Sequence, residues 1–216
     1  MMQASLRRHD DRRRSCCPVS LLRATSAAVQ LLCATSKDWL QLALERFDEV
    51  LVDHAHCEKK AAAHALSMLA AFPDVPGLPR AMARLAREEA GHLAKVLALL
   101  ESRGLSLGRD GGDPYAQALQ ALVRQPRAER LLDQLLVSAL IELRSRERLQ
   151  LLADHLPERH LRDFYEELAQ AEAGHGSLFL RLARKVAPEA IEERLSRLAA
   201  EEARLIRELP VRAAIH

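Results

Sequence analysis

Two stretches of this chain spell Glu-Ala-Gly-His, at Glu89–His92 and again at Glu172–His175. Each is preceded at nearly the same distance by another glutamate, Glu58 by 31 residues and Glu142 by 30. All four glutamates lie in otherwise apolar stripes with helical spacing. The first stripe reads Leu44, Phe47, Leu51, His54, Glu58, Ala62, Ala65, Leu69, and the second Leu78, Met82, Leu85, Glu89, His92, Val96, Leu99. The third reads Leu132, Leu135, Leu136, Ala139, Glu142, Leu143, Leu149, and the fourth Leu161, Phe164, Leu168, Glu172, His175, Phe179, Leu182. Burying an unpaired carboxylate costs on the order of several kcal/mol. Four carboxylates on inward faces therefore need a common partner.

The periodicity predicts helices over about 36–72, 78–103, 128–154 and 158–186, with a fifth amphipathic helix over 191–209 beyond Pro188. Thr35-Ser36-Lys37-Asp38 supplies an N-terminal cap for the first. "PDVPG" and "HLP" are connections short enough to force antiparallel neighbours. Between the two hairpins runs a long stretch with room for one short helix after Asp113-Pro114. The expected fold is all-α: a four-helix bundle with one long crossover, resembling the ferritin-like arrangement, plus an extra C-terminal helix. The expected organisation is a basic, disordered segment over 1–34, the bundle over 35–186, and a C-terminal helix packed on it over 187–216.

Composition agrees with helices: aromatic residues make up only 3% of the 216 residues, while Leu, Ala, Arg and Glu dominate. The net charge of +2 is unevenly spread. Six arginines against two aspartates in residues 1–25 leave 26 basic against 28 acidic residues in the remainder. A nucleic-acid partner would have to meet a local patch. The cysteines, Cys16, Cys17, Cys33 and Cys57, form no C-x-x-C pair, which fits a reducing, cytoplasmic setting. No apolar run approaches a membrane span, so no membrane partner is expected.

The spacing carries the chemistry. Residues i and i+3 project from one helical face, so the Glu and His of each Glu-x-x-His can ligate one metal. With a glutamate from each of the other two helices, the set is Glu58, Glu89, His92, Glu142, Glu172 and His175. That is the two-metal carboxylate set of ferritin-like bundles, suited to iron or manganese with open positions for oxygen. Four negative charges balance two divalent cations. His54, four residues before Glu58, is placed to orient that carboxylate. His56 and Cys57 find no matching ligand pair elsewhere. Glu88 and Glu147 are poorly phased and read as surface residues. Tyr165 lies off the metal-facing stripe, so no stored tyrosyl radical is expected. The glycines in the two repeats are expected to admit close backbone approach.

Around Glu58 the chain reads "LVDHAHCEKKAA", and around Glu142 "ALIELRSRERLQLLADHL". With the two Glu-x-x-His helices, these resemble the tRNA 2-methylthio-N6-isopentenyladenosine hydroxylase family, MiaE, from about Leu31 to Val186. The Asp53–Lys60 block is the most specific part, and residues 1–25 have no counterpart. That resemblance implies an O2-dependent monooxygenase with two iron ions, hydroxylating the isopentenyl group of the modified adenosine in tRNA. An external electron-donor reductase is implied as a partner. Glu89 and Glu172 would bridge the metals, with Glu58, His92, Glu142 and His175 as terminal ligands. A rubrerythrin-like oxidase or peroxidase would share the ligands, but no rubredoxin-like cysteine pairs occur. A non-enzymatic helical RNA-binding module would not need buried carboxylates. Lys59, Lys60, Arg144 and Arg146 are the expected RNA contacts, and the protein is expected to be a monomer.

Overall fold

Ser36 opens the first helix by accepting a hydrogen bond from the Trp39 amide at 3.1 Å. In this computed structural model, which describes residues 30–216, seven helices follow and there is no strand among the described residues. They are α1 (Lys37–Glu45), α2 (Phe47–Ala71), α3 (Leu78–Ser102), α4 (Pro114–Gln120), α5 (Arg127–His155), α6 (Arg159–Val186) and α7 (Ile191–Glu208). Residues 1–29 of the expected N-terminal segment lie outside the described residues.

One expected helix is divided. The stretch over 36–72 breaks at Arg46, whose backbone (φ −121°, ψ 41°) leaves helical geometry. The break lets α1 lean on α5 and the C-terminal tail. There Trp39 donates its indole N–H to the Ala214 carbonyl at 2.9 Å, with the Arg148 guanidinium over its ring. Periodicity runs through the break, because both pieces bury apolar residues.

Gly77 takes a left-handed conformation (φ 81°) at the turn into α3, where Pro79 follows within the first turn. α2 and α3 pack along one another, as do α5 and α6. The crossover carries α4, capped by Asp113, which accepts from the Ala116 amide at 2.9 Å. α7 lies against α4 and α5. Glu202 on α7 is sealed from solvent and accepts from the Arg144 guanidinium at 2.9 and 2.7 Å and from the Tyr115 hydroxyl at 3.1 Å.

The core has two apolar halves. One gathers Met68, Phe72, Met82, Leu85, Leu135 and Phe179; the other gathers Leu51, Val96, Leu149, Tyr165 and Leu168. On each of the four long helices the glutamate of the repeat falls between the residues serving one half and those serving the other. The bundle thus has a charged layer between two greasy ends.

Candidate metal centre

Each glutamate of the layer reaches inward from the middle of its helix. Exposure is 4% at Glu58, 1% at Glu89, 7% at Glu142 and 3% at Glu172. Glu58, Glu89, His92 and Glu172 bring donor atoms within 4.8 Å of one another, and Glu89, Glu142, Glu172 and His175 do the same. Glu89 and Glu172 belong to both sets. The two imidazoles face each other with ring centroids 5.6 Å apart.

Close approach does not become good hydrogen bonding. His92 Nδ1 lies 3.5 Å from Glu58 Oε2 and 3.4 Å from Glu89 Oε2, yet that nitrogen and both oxygens have no aligned partner. Glu89 Oε1 is equally orphaned, although His175 Nδ1 is 2.9 Å away. Orphaned buried carboxylate oxygens are rare and need a partner. These atoms converge on common points instead of on each other, which is how metal donors are arranged.

Protonation tells the same story. Burial works to raise the Glu58 carboxyl, but the hydrogen bond of His54 and the imidazole of His92 close by hold it below the usual range. Glu142, buried and beside Glu172, is pushed well above that range. Glu89 is raised too, by burial and by the charges of Glu172 and Glu58, against its contacts with His175 and His92. Burial disfavours charged imidazoles, yet Glu58 and Glu89 raise His92 to about 10, and Glu172 and Glu89 raise His175 to about 11. Without a metal the layer therefore holds extra protons. Two divalent cations would replace them. The residues present fit such a pair.

Three supports surround the layer. His54 Nε2 lies 2.8 Å from Glu58 Oε1, as its spacing led one to expect, and Tyr165 stacks on its ring at 5.5 Å. Tyr165 is thus packed behind the site, with a buried hydroxyl that has no partner. Glu88, read from sequence as a surface residue, is half-exposed, but its carboxylate comes within 3.4 Å of His175 Nε2. Its neighbour in the helix, Glu89, obscured it: adjacent helical residues do not share a face, but His175 sits at the seam where Glu88 can reach it. Gly91 and Gly174 do not admit close approach, since a Cβ at either would meet nothing within 4 Å. Gly176 is the glycine that lies against α5, where a Cβ would stand 3.6 Å from the Glu142 Cβ.

A cavity of about 230 Å³ opens on the layer from the α2–α4–α5 side. The four glutamates form its inner wall, Ala61, Ala116 and Ile141 give it apolar surface, and Gln120, His64 and Ser138 give it polar groups. His64 Nε2 is 3.0 Å from Ser138 Oγ, and burial lowers the imidazole pKa, favouring its neutral form. At one edge Cys57, Asp113 and His216 converge. His216 Nδ1 is 3.1 Å from Asp113 Oδ2 and Nε2 is 2.8 Å from Ser145 Oγ, so these groups satisfy one another. Burial pushes the Cys57 thiol up and keeps it protonated. No sequence signal linked His216 to this wall.

The expected RNA contacts separate. Arg144 is 0% exposed and is held by Glu202, Glu147 and the Cys33 carbonyl, so it presents nothing to RNA. Sequence reading missed this because its partner Glu202 lies a whole helix away. Lys59 and Lys60 stand beside the cavity and share Asp110, at 3.2 and 3.7 Å. Arg146 is exposed on α5.

Comparison with known proteins adds a family and a fold. Residues 23–216 match the family model described as MiaE: tRNA-(MS[2]IO[6]A)-hydroxylase. A tRNA 2-(methylsulfanyl)-N(6)-isopentenyladenosine(37) hydroxylase of Pseudomonas putida is 41% identical over 158 residues, which are 73% of this chain and 77% of that protein. A hydroxylase of the same name from Salmonella typhimurium is 34% identical over 125 residues, 58% of this chain and 46% of that one. Among solved structures, a Synechococcus protein described as having aldehyde deformylating oxygenase activity superposes with a TM-score of 0.82. It is 39% identical and the match covers 86% of this chain and 94% of that one. Among the described residues no helix is long and apolar enough to cross a membrane.

Proposed function

Because the chain belongs to the MiaE family of tRNA hydroxylases, we propose that it hydroxylates the isopentenyl group of 2-methylthio-N6-isopentenyladenosine in tRNA, as a cytoplasmic, O2-dependent di-iron enzyme. One observation carries the reading: the four glutamates of two overlapping donor sets, which share Glu89 and Glu172, line the inner wall of a partly apolar cavity. In this reading Glu89 and Glu172, common to both donor sets, would serve both iron ions, with Glu58 and His92 holding one and Glu142 and His175 the other. Bound there, the iron pair would supply the O2 activation that breaking an unactivated C–H bond requires.

The chain's own residues do the rest. Ala61, Ala116 and Ile141 give the prenyl chain an apolar seat against the glutamate layer. The apolar halves above and below the layer keep bulk water from the reacting carbon. His54 holds Glu58 ionised and in place, and Glu88 holds the outer nitrogen of His175. Lys59 and Lys60, beside the cavity, are positioned to meet phosphates flanking the inserted base.

The test is direct. Iron-loaded protein, a chemical reductant, air and tRNA bearing the prenylated adenosine are combined, and digested nucleosides are read by liquid-chromatography mass spectrometry. Gain of one oxygen atom on the prenylated nucleoside is expected, and loss of that product in Glu142→Ala. The Synechococcus neighbour motivates a second arm in which an aldehyde replaces tRNA. Turnover of the aldehyde with none of the nucleoside would replace this reading with aldehyde deformylation.

A further inference from the structure

The α3–α6 face, opposite the cavity, carries a groove of about 630 Å³ lined by Arg80, Arg84, Arg87, Arg181 and Lys185. On α3 the arginines recur at helical spacing along one side, and Arg181 and Lys185 are one turn apart on α6, so two cationic rows face each other. All five are exposed. Among the described residues only Arg84 is ion-paired, with Glu88 at 3.4 Å. Ala81, Ala83, Leu178 and Leu182 make an apolar floor between the rows. Residues 26–216 hold 26 basic against 28 acidic residues, so five cations lining one groove are a local concentration of positive charge that favours an anionic partner.

We propose that this groove docks an acidic electron-carrier protein, of the iron–sulfur or flavin kind. The inference rests on the oxygenase reading above. Inserting one atom of O2 into a C–H bond sends the other to water and takes up two electrons and two protons, so two electrons must arrive from an outside donor. One residue links the groove to the metal layer. Glu88 touches Arg84 on the groove side and His175 Nε2, at 3.4 Å, on the other. Leu178 on the floor stands one turn beyond His175 on α6. A carrier seated there is linked to the metal layer through Arg84, Glu88 and His175 and through the one turn of α6 between Leu178 and His175.

RNA fits the groove less well. A tRNA that inserts its base through the α2–α4–α5 side lies across the bundle from α3 and α6. An apolar floor within a charged rim is the anatomy of a protein contact, and small, electrostatically steered contacts are typical of redox partners.

The test uses Arg80→Gln/Arg87→Gln/Arg181→Gln/Lys185→Gln, which leaves Arg84 and Glu88 in place, with circular dichroism to check that it folds like the parent. The probes are an acidic plant-type ferredoxin and an acidic flavodoxin. Binding of each oxidised carrier to metal-free protein is followed by NMR line broadening, and reduction of the iron-loaded protein by stopped-flow. The variant should bind at least tenfold more weakly, accept electrons at least tenfold more slowly, and lose the salt dependence seen in the parent. Reduction by dithionite and affinity for tRNA should not change. The proposal is overturned if the variant keeps the parent's carrier affinity and rate, or if neither carrier's reaction with the parent depends on salt. Lost tRNA binding with carrier binding intact would assign the groove to RNA instead. Failure of the oxygenase reading shows separately, as dithionite-reduced parent that hydroxylates no tRNA in air.

Discussion

Glu58 on α2 and Glu142 on α5 occupy the same place in their hairpins, and their surroundings treat them in opposite ways. Glu58 has His54 one turn before it, at 2.8 Å, and its carboxyl is held low. The residue one turn before Glu142 is Ser138, which turns away to His64, and Glu142 is pushed high by burial and by Glu172. The histidines differ too. His175 has Glu88 at its outer nitrogen, whereas the residue preceding Glu172, in the place of Glu88, is Ala171. The repeat therefore preserves the inward-facing donors while each hairpin supports them differently. Two metal positions built from like residues need not be alike in affinity or basicity.

The largest expected effect breaks the symmetry between shared and unshared donors. Glu89→Ala or Glu172→Ala should remove both metal ions, because each residue belongs to both donor sets. Glu58→Ala or Glu142→Ala should each leave one position measurably filled. Metal-to-protein ratios by plasma mass spectrometry decide it, and full occupancy in Glu89→Ala would end the ligand assignment.

A pH series comes next. In metal-free protein His92 and His175 are raised to about 10 and about 11, from an ordinary value near 6.5. Their stabilisation is complete below about pH 6.5 and is lost as pH rises through those folded values. Glu89 and Glu142, also raised, act with the same sign from the ordinary carboxylate range upward. The melting temperature of metal-free protein should therefore fall steadily between pH 7 and pH 10. Metal affinity should rise over the same range, since the ligands must shed protons to bind. A flat metal-free profile would mean the layer is not protonated as described.

Glu88→Gln tests the asymmetry itself. Loss of an outer carboxylate from a metal-bound histidine typically weakens binding on the order of 10-fold or more. Only one of two steps in a metal titration should shift. Equal shifts in both steps would show that Glu88 acts on the layer as a whole. The smallest effect belongs to the repeated glycines. Gly91→Ala and Gly174→Ala meet open space and should each stabilise by roughly 1 kcal/mol in chemical denaturation, equally in both hairpins. Destabilisation in one alone would expose a difference in backbone strain between them.

Much of this molecule was legible before folding. The helices of the two hairpins begin and end within a residue or two of where apolar spacing, short connections and Pro or Gly placed them, apart from the break at Arg46. The six charged groups were legible because buried charge on an apolar stripe is conspicuous, and the structure brings all six into one layer. The break at Arg46 was not, since an apolar stripe continues through a kink. Nor was the burial of Arg144, an arginine that resembles its solvated neighbours until Glu202 closes over it.

What the sequence determined by itself is what repeats along one helix: which residues face inward, where helices stop, and which glutamates and histidines share a turn. Such facts depend on rises and angles that a single segment carries within itself. Tertiary structure alone decided the pairings across helices, including Glu88 with His175, Glu202 with Arg144, and His216 with the cavity wall. It also set two basic rows from different hairpins side by side. Those contacts depend on how the helices are rotated against one another, which is settled by the packing of the whole core and is written in no local stretch of the chain.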